Sequence, residues 1–302
     1  YLGVMQKIVD FFAVIMHKTM RCSGAETLST AANIFVGQTE APLVVKPYVD
    51  KMTQSELLAV MAGGFANTAG GVLAAYVGML HSHFPDIAGH LIAQSVMSAP
   101  AALVCAKIVM PETGKPLTQG HLRMASEKID ANLVDAAARG ASEGLQLAFN
   151  VAAMLLAFIA LIALGNGILQ WVGSLAGVGW LTLENCMAVL GWPIAFVMGV
   201  PVAECWTVGK LIGTKTVVNE FVAYLQMADL LGQGALSPRA AIISSYALSG
   251  FANFSSIAIQ IGGISAIAPS RRHDLAKLGL KAMVTGAIAT FMTATIAGAL
   301  IG

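Results

Sequence analysis

Three ionisable residues stand where a very apolar chain has least reason to put them. Glu40 lies in "NIFVGQTEAPL" (Asn33–Leu43), and Lys215 and Glu220 lie in "GTKTVVNEFVAY" (Gly213–Tyr224). A carboxylate can accept two hydroxyl hydrogen bonds at once, as a polyol offers them. Around Glu40 stand Asn33, Gln38 and Thr39, with Gly37 before them and Pro42 two residues after. Lys215 lies five residues before Glu220, within reach of a compensating pair. A later stretch, "GFANFSS" (Gly250–Ser256), puts Asn253 and Ser256 at i and i+3 on one helix face. Phe251 comes near that face only if the helix is broken there. An aromatic ring, amides, hydroxyls and acids together suit a ligand with a flat heterocycle and a polyol.

A second kind of chemistry is offered by "GGFANTAGG" (Gly63–Gly71), where four glycines crowd Asn67 and Thr68. Glycine costs about 1 kcal/mol against alanine inside a helix, so a helix here is expected to unwind. Freed carbonyls with amide and hydroxyl oxygens suit a hard cation such as sodium. Close packing through small residues is the plainer use of the same glycines. "HSHFPDIAGH" (His81–His90) has metal-like content but reads as a wet loop. The cysteines Cys22, Cys105, Cys186 and Cys205 have no CxxC spacing and read as packing residues. There is no nucleophile elbow, P-loop or HExxH.

The elements that must hold these groups belong to a membrane protein. The 302 residues are 57% hydrophobic and 11% charged, with a mean hydropathy of +0.74. A soluble domain carries about 25% charged residues. Stretches such as Leu145–Leu164 and Leu278–Ile301 are long enough to cross a hydrocarbon core. The fold class is therefore all-α and polytopic. A net charge of +1 gives no reason to expect nucleic acid. The chain begins at Tyr1 in mid-apolar sequence, so residues 1–20 read as the remnant of a longer N-terminal part.

Basic residues orient the chain, because cytoplasmic loops carry their excess. Lys7, Lys18, Arg21, Lys46 and Lys51 put 7–51 in the cytoplasm. Lys115, Arg123, Lys128 and Arg139 do the same for 107–139, and Arg271, Arg272, Lys277 and Lys281 for 271–281. The 81–90 and 231–239 loops and the C-terminus then lie outside. Helices over 53–80, 145–172 and 277–301 run outward, and 87–110 and 240–268 inward. Residues 21–51 start and end on one side and are too short for two spans. They describe a re-entrant hairpin, whose non-helical tip protein or water must satisfy. Residues 192–229 begin and end outside.

An internal repeat supports this layout. "NIFV" at Asn33 returns as "NEFV" at Asn219, and "GFAN" at Gly64 returns at Gly250, both 186 residues on. The two copies enter from opposite sides. Inverted repeats with paired broken segments are the mark of secondary transporters, with sites near the midplane. The domain plan runs as a first repeat at 21–110, a cytoplasmic link and long scaffold helix at 111–180, a second repeat at 181–268 and a final helix at 269–302. The residues alone leave a nucleoside or a sugar open as ligand. They also leave open a proton-coupled carrier that titrates Glu40 or Glu220, a channel or a membrane enzyme.

"NIFVGQTEAPL", "GTKTVVNEFVAY" and "GFANFSSIAIQIGG" resemble the motifs of the concentrative nucleoside transporter family, in its sodium-coupled branch. The resemblance runs from about Tyr1 to the end, and relatives carry further N-terminal helices. It implies a homotrimer in the lipid bilayer of an inner membrane. Each protomer would hold two re-entrant hairpins and broken helices, with a transport domain moving as an elevator against a scaffold. It implies sodium-coupled uptake of a uridine-like nucleoside. Gln38 and Thr39 would bind the base, with Gly37 and Glu40 beside it and Val72 lining its pocket. Glu220, Asn253 and Ser256 would hold the ribose, with Phe251 lining the site. Sodium would sit near Asn33 and Val36 and near Asn67 and Thr68. Relatives often have Ser or Thr where Asn67 stands and an aliphatic where Thr68 stands; an Asn carbonyl can still ligate sodium. Proton-coupled relatives carry a hairpin similar to "GQSEN", which favours sodium here.

Overall fold

The computed structural model describes residues 4–119 and 131–301. Arg123 and Lys128, two of the residues expected to mark a cytoplasmic stretch, lie outside the described residues. Every regular element among the described residues is helical.

Local chemistry sets where the first helices start and stop. Helix α1 (Val4–Met20) is followed by α2 (Gly24–Ala32). Ser23 and Glu26 exchange backbone and side-chain hydrogen bonds in a capping box that starts α2. The chain leaves the helix at Asn33, and a 3₁₀ turn at Ala41–Val45 begins around Pro42. The four-residue α3 (Lys46–Val49) ends this hairpin. Thr53 and Glu56 form a second capping box for α4 (Gln54–Ala66), which ends at the extended residues Asn67–Ala69 before α5 (Gly70–Leu80). The glycine-crowded helix is thus broken, as its composition implies. Helix α6 (Ile87–Val109) closes the first half.

After the 43-residue α7 (Leu133–Leu175), the series recurs: α8 (Leu183–Val197), α9 (Cys205–Val217), α10 (Glu220–Gly232), α11 (Pro238–Leu248), α12 (Phe254–Ile267) and α13 (Arg272–Leu300). The break between α11 and α12, at Ser249–Asn253, is the counterpart of the break between α4 and α5. Three expected boundaries move. Helix α7 starts at Leu133 rather than 145, with Asn132 capping it by accepting from the Asp135 N–H at 2.9 Å. Helix α8 starts before 192, because Thr182 caps it by accepting from the Asn185 N–H at 3.2 Å. Helix α13 starts at Arg272 rather than 277, so the basic residues form its first turns. Arg271 just before it donates to the carbonyls of Asp50 and Met52, at 3.1 and 2.6 Å, and fastens the end of the first hairpin to α13.

Among the described residues, Gln54–Leu80, Ile87–Val109 and Pro269–Leu300 are long and apolar enough to cross a membrane. Helix α13 packs against α4, α6, α11 and α12, with Gly286 set against Phe65 and Gly298 against the Met198 carbonyl. Helices α8 and α9 press together where Gly191 meets Gly209. Such small residues let backbones approach closely in a bilayer, where apolar burial gives little drive.

The second break also depends on a glycine. Gly250 has φ +94°, and a Cβ there would stand 2.7 Å from the carbonyl oxygens of both Phe65 and Ala66. Gly250→Ala is expected to cost about 3 kcal/mol, through backbone strain and overlap together. Gly262→Ala, in open space on α12, should be neutral or stabilising by up to ~1 kcal/mol. Thermal unfolding of the two variants in detergent checks this; equal midpoints would refute the close crossing.

Candidate functional site

Between the tip of the first hairpin and the second break lies a cavity of about 220 Å³. From the hairpin it is lined by Gly37, Gln38, Thr39 and Glu40, and from α5 by Val72. From the second half it is lined by Glu220, Phe251, Asn253 and Ser256. All nine residues expected to meet a substrate therefore border one space, with Glu40 and Glu220 on the same cavity. Five further residues line it: Ala69, Asn219, Phe221, Ser255 and Ile259.

Small residues bring the hairpin tip into place. A Cβ at Gly37 would run into the Glu40 carboxylate, and one at Gly263 would meet Thr39 at 2.5 Å. Thr39 Oγ1 donates to Glu40 Oε1 at 3.0 Å. Glu40 is otherwise exposed towards the cavity, whereas Gln38 is 7% exposed. Gln38 Nε2 donates to Ser256 Oγ at 3.2 Å and so ties the tip to α12.

The opposite wall is an anchored carboxylate. Glu220 is the first residue of α10, whose cap is Asn219, accepting from the Val222 N–H at 2.9 Å. Asn253 caps α12 in the same way, accepting from the Ser256 N–H at 2.8 Å. Its Nδ2 donates to Glu220 Oε2 at 2.8 Å, and the Tyr76 hydroxyl donates to Oε1 at 3.3 Å. Two helix N-termini thus meet at one buried acid. Tyr76 is itself stacked on Tyr224, with centroids 4.1 Å apart. The carboxylate is presented to the cavity with its orientation held from behind.

Lys215 does something other than the expected pairing. Among the described residues no ion pair joins it to Glu220. Its Nζ donates to the Ala247 and Ser249 carbonyls, at 2.8 and 3.1 Å, and to Thr290 Oγ1 at 3.3 Å. These are carbonyls at the end of α11, left without helical partners by the break, and a buried ammonium satisfies them in a place water does not reach. The two breaks are joined as well. Thr68 Oγ1 meets Ser249 Oγ at 3.0 Å and accepts from the Gly250 N–H at 2.8 Å. Gln94 accepts from Ser249 Oγ at 2.7 Å and donates to the Ala66 carbonyl at 3.3 Å.

Known proteins share both the sequence and this architecture. The family described as the Na+ dependent nucleoside transporter C-terminus matches residues 90–298, and a family described as Gate, nucleoside recognition, matches residues 1–82. The chain belongs to the Na+ dependent nucleoside transporter family. It is 49% identical over 306 residues to an uncharacterized transporter of Haemophilus influenzae, covering 100% of this chain and 72% of that one. It is 44% identical to solute carrier family 28 member 3 of Mus musculus, covering 99% of this chain and 44% of the mouse protein. CNTnw in an inward-facing substrate-bound state superposes with a TM-score of 0.89 at 48% identity, over 99% of this chain and 69% of that one. A CNTnw variant in an intermediate state gives 0.92 at 47% identity, over 100% and 72%. The family and its structural neighbours are membrane transporters, not enzymes.

The family's sodium dependence asks for hard oxygen atoms with nothing else to do. Asn33 supplies one: it is 1% exposed, and neither Oδ1 nor Nδ2 has a hydrogen-bond partner. A buried orphan of this kind costs about 1–3 kcal/mol unless something fills the need. Val36 sits beyond the end of α2, and the Gly70 N–H donates to the Phe35 carbonyl at 3.1 Å, which brings the hairpin tip against the first break. Asn67 and Thr68 lie in that break. Their side-chain oxygens are engaged, Asn67 Oδ1 by the Ser98 hydroxyl and Thr68 Oγ1 by Ser249 and Gly250, while Asn67 Nδ2 has no partner but is a donor with nothing to give a cation. What these two offer an ion is the unwound backbone rather than a free side chain. The donor set fits a sodium ion held chiefly by Asn33 and main-chain oxygens.

Sequence patterns did not pick out Tyr76, Gln94 or Gln260. Tyr76 follows Val72 by four residues and Gln260 follows Ser256 by four, so a helical step from the expected lining residues reaches both. Gln94 had no such signal.

Lys215→Met keeps the unbranched stem as far as Cε and removes the nitrogen with all its donors. It is expected to cost at least about 2 kcal/mol, because the Ala247 and Ser249 carbonyls stay buried without partners. The fall should show as an earlier melting transition and a smaller folded peak in detergent. A variant as stable as the parent would remove the capping role.

Proposed function

We propose that the protein is a secondary active transporter that carries nucleosides into the cell together with sodium. The observation that carries this reading is the cavity with an amide-bearing hairpin tip on one wall and the anchored Glu220 carboxylate on the other. Gln38 and Thr39 meet the base, with Gly37, Glu40 and Val72 around it. Glu220, Asn253 and Ser256 take the ribose hydroxyls, and Phe251 closes the apolar side. Sodium binds at Asn33, Val36, Asn67 and Thr68. Ordering of the hairpin tip by the ion completes the nucleoside site, so each ligand raises the affinity of the other by the same factor.

Relatives support the coupling and the movement. One is named a sodium/nucleoside cotransporter, in Mus musculus, at 41% identity. CNTnw and its variants have been seen in inward-facing, intermediate and outward-facing states. Alternating access by an elevator movement of the hairpins and broken helices fits such a series. A homotrimer in the inner membrane is part of the same proposal. Helix α7, roughly 65 Å long at 1.5 Å per residue, exposes Leu156, Leu161, Leu164, Ile168 and Trp171 for lipid or for neighbouring copies.

Uridine uptake should fall to background when choline replaces sodium at fixed pH. Undiminished uptake would point to a proton-coupled carrier instead. Asn33→Ala should raise the sodium concentration needed and, by reciprocity, weaken nucleoside binding at fixed sodium. Glu220→Gln should weaken riboside binding roughly tenfold to a hundredfold, the value of hydrogen bonds to a charged group. A 2′,3′-dideoxy analogue should lose far less in a direct binding measurement. An equal loss for both would contradict the ribose role of Glu220.

A further inference from the structure

Gln260 is fully buried on α12 and touches the cavity only through another residue. Its Nε2 donates twice: to the Met61 carbonyl at 3.1 Å and to Gln38 Oε1 at 3.1 Å. A main-chain carbonyl can only accept, so the Gln260 amide has one allowed orientation. The flipped amide would set its oxygen against the Met61 carbonyl oxygen. Its Oε1 is left without a partner, a cost the flip would not remove. Gly64 makes room for the arrangement, since a Cβ there would stand 2.7 Å from Gln260 Nε2 and 3.1 Å from Gln38 Cβ.

The orientation passes to the next amide. Gln38 Oε1 must face the Gln260 donor, which leaves Gln38 Nε2 turned toward Ser256 Oγ and the cavity. One of its two N–H groups is spent on Ser256, and the other is free for a ligand. Ser256, having accepted, keeps its own hydroxyl hydrogen to donate. The chain Met61–Gln260–Gln38–Ser256 therefore converts a fixed helix carbonyl into a donor at the cavity wall.

We propose that Gln260 is a positioning residue for base selectivity: by locking the Gln38 amide, it makes the wall offer an N–H donor, and so favours nucleobases with an acceptor on the edge they present there. This rests on the reading of Gln38 as a base contact. Replacing Gln260 by Glu leaves at most one donor, on a protonated acid, and that donor goes to Met61. The other oxygen is an acceptor, so Gln38 turns its Nε2 toward it and shows its oxygen to the ligand. The wall reverses from donor to acceptor with scarcely any change of shape.

Uridine and cytidine have opposite hydrogen-bonding polarity at positions 3 and 4 of the ring, so the ratio of their affinities reports the wall. The experiment measures both affinities in sodium for the parent, Gln260→Glu, Gln260→Leu and Gln38→Ala in the full chain. The parent prefers one base. Gln260→Glu moves the ratio about tenfold toward the other base, as one mismatched hydrogen bond implies. Gln260→Leu, which leaves Gln38 free to turn either way, collapses the ratio to near that of Gln38→Ala. Uridine and cytidine carry the same ribose, so any change in the Ser256 contact when Gln38 reverses cancels in the ratio. A merely structural role would weaken both bases alike and leave the ratio untouched. If Gln38→Ala changes the ratio while both Gln260 variants keep the parent's, the positioning role is wrong and the base contact stands. If Gln38→Ala also keeps the parent's ratio, the base contact fails and the inference with it. Should Gln260→Glu not fold, an unchanged ratio in Gln260→Leu alone overturns the proposal.

Discussion

A helix that stops within the bilayer leaves carbonyl and N–H groups that no water can satisfy. This protein stops two such helices at the same depth of its fold, at Asn67–Ala69 and at Ser249–Asn253, and much of its buried polar chemistry answers that need. Lys215 takes the carbonyls at the end of α11, and Gln94 takes that of Ala66 at the end of α4. Thr68, Ser249 and the Gly250 N–H join the breaks to each other. Asn253 starts the next helix and turns its amide on Glu220. The cavity between the hairpin tip and the second break is built from what these repairs leave over: side chains held by hydrogen bonds, at a point where the backbone has stepped aside.

The same logic separates the two halves of the repeat. In the first hairpin Asn33 ends α2 with its amide unpartnered, whereas its mate Asn219 begins α10 and caps it. One copy keeps an unfilled oxygen and the other spends it on the helix. The corner proposed for the cation and the corner proposed for the sugar can thus share one sequence pattern. The divergence continues one turn earlier, where Lys215 donates to the carbonyls at the end of α11 and Ser29, 186 residues before it, carries a hydroxyl without a partner.

Much of the fold was legible beforehand because bilayer physics is one-dimensional. Apolar length marks spans, glycine clusters mark breaks, and matched strings at one spacing mark the repeat. The break at Asn67 follows from four glycines, and the hairpin from Gly37 and Pro42. Helix ends were less legible. The start of α8 depends on Thr182, and the end of the first hairpin is fastened beside α13 by Arg271 reaching Asp50 and Met52, contacts the local pattern does not announce. In the site, the residues facing the cavity announce themselves because a polar group in an apolar chain needs a use. Those one layer behind do not: Gln94, Gln260 and Tyr76 look like incidental polar residues within helices.

By itself the sequence determined the class of chain, the two broken segments and the polar residues that would meet there, since each follows from the cost of putting a given residue in hydrocarbon. Tertiary structure alone decided what each buried polar group is for. Lys215 could have neutralised Glu220, and instead its ammonium lies on the freed carbonyls of another helix. Gln38 could have offered either end of its amide, and Gln260, 222 residues away, selects one. A hydrogen bond is settled by distance and direction between particular atoms, and only the packed chain supplies those.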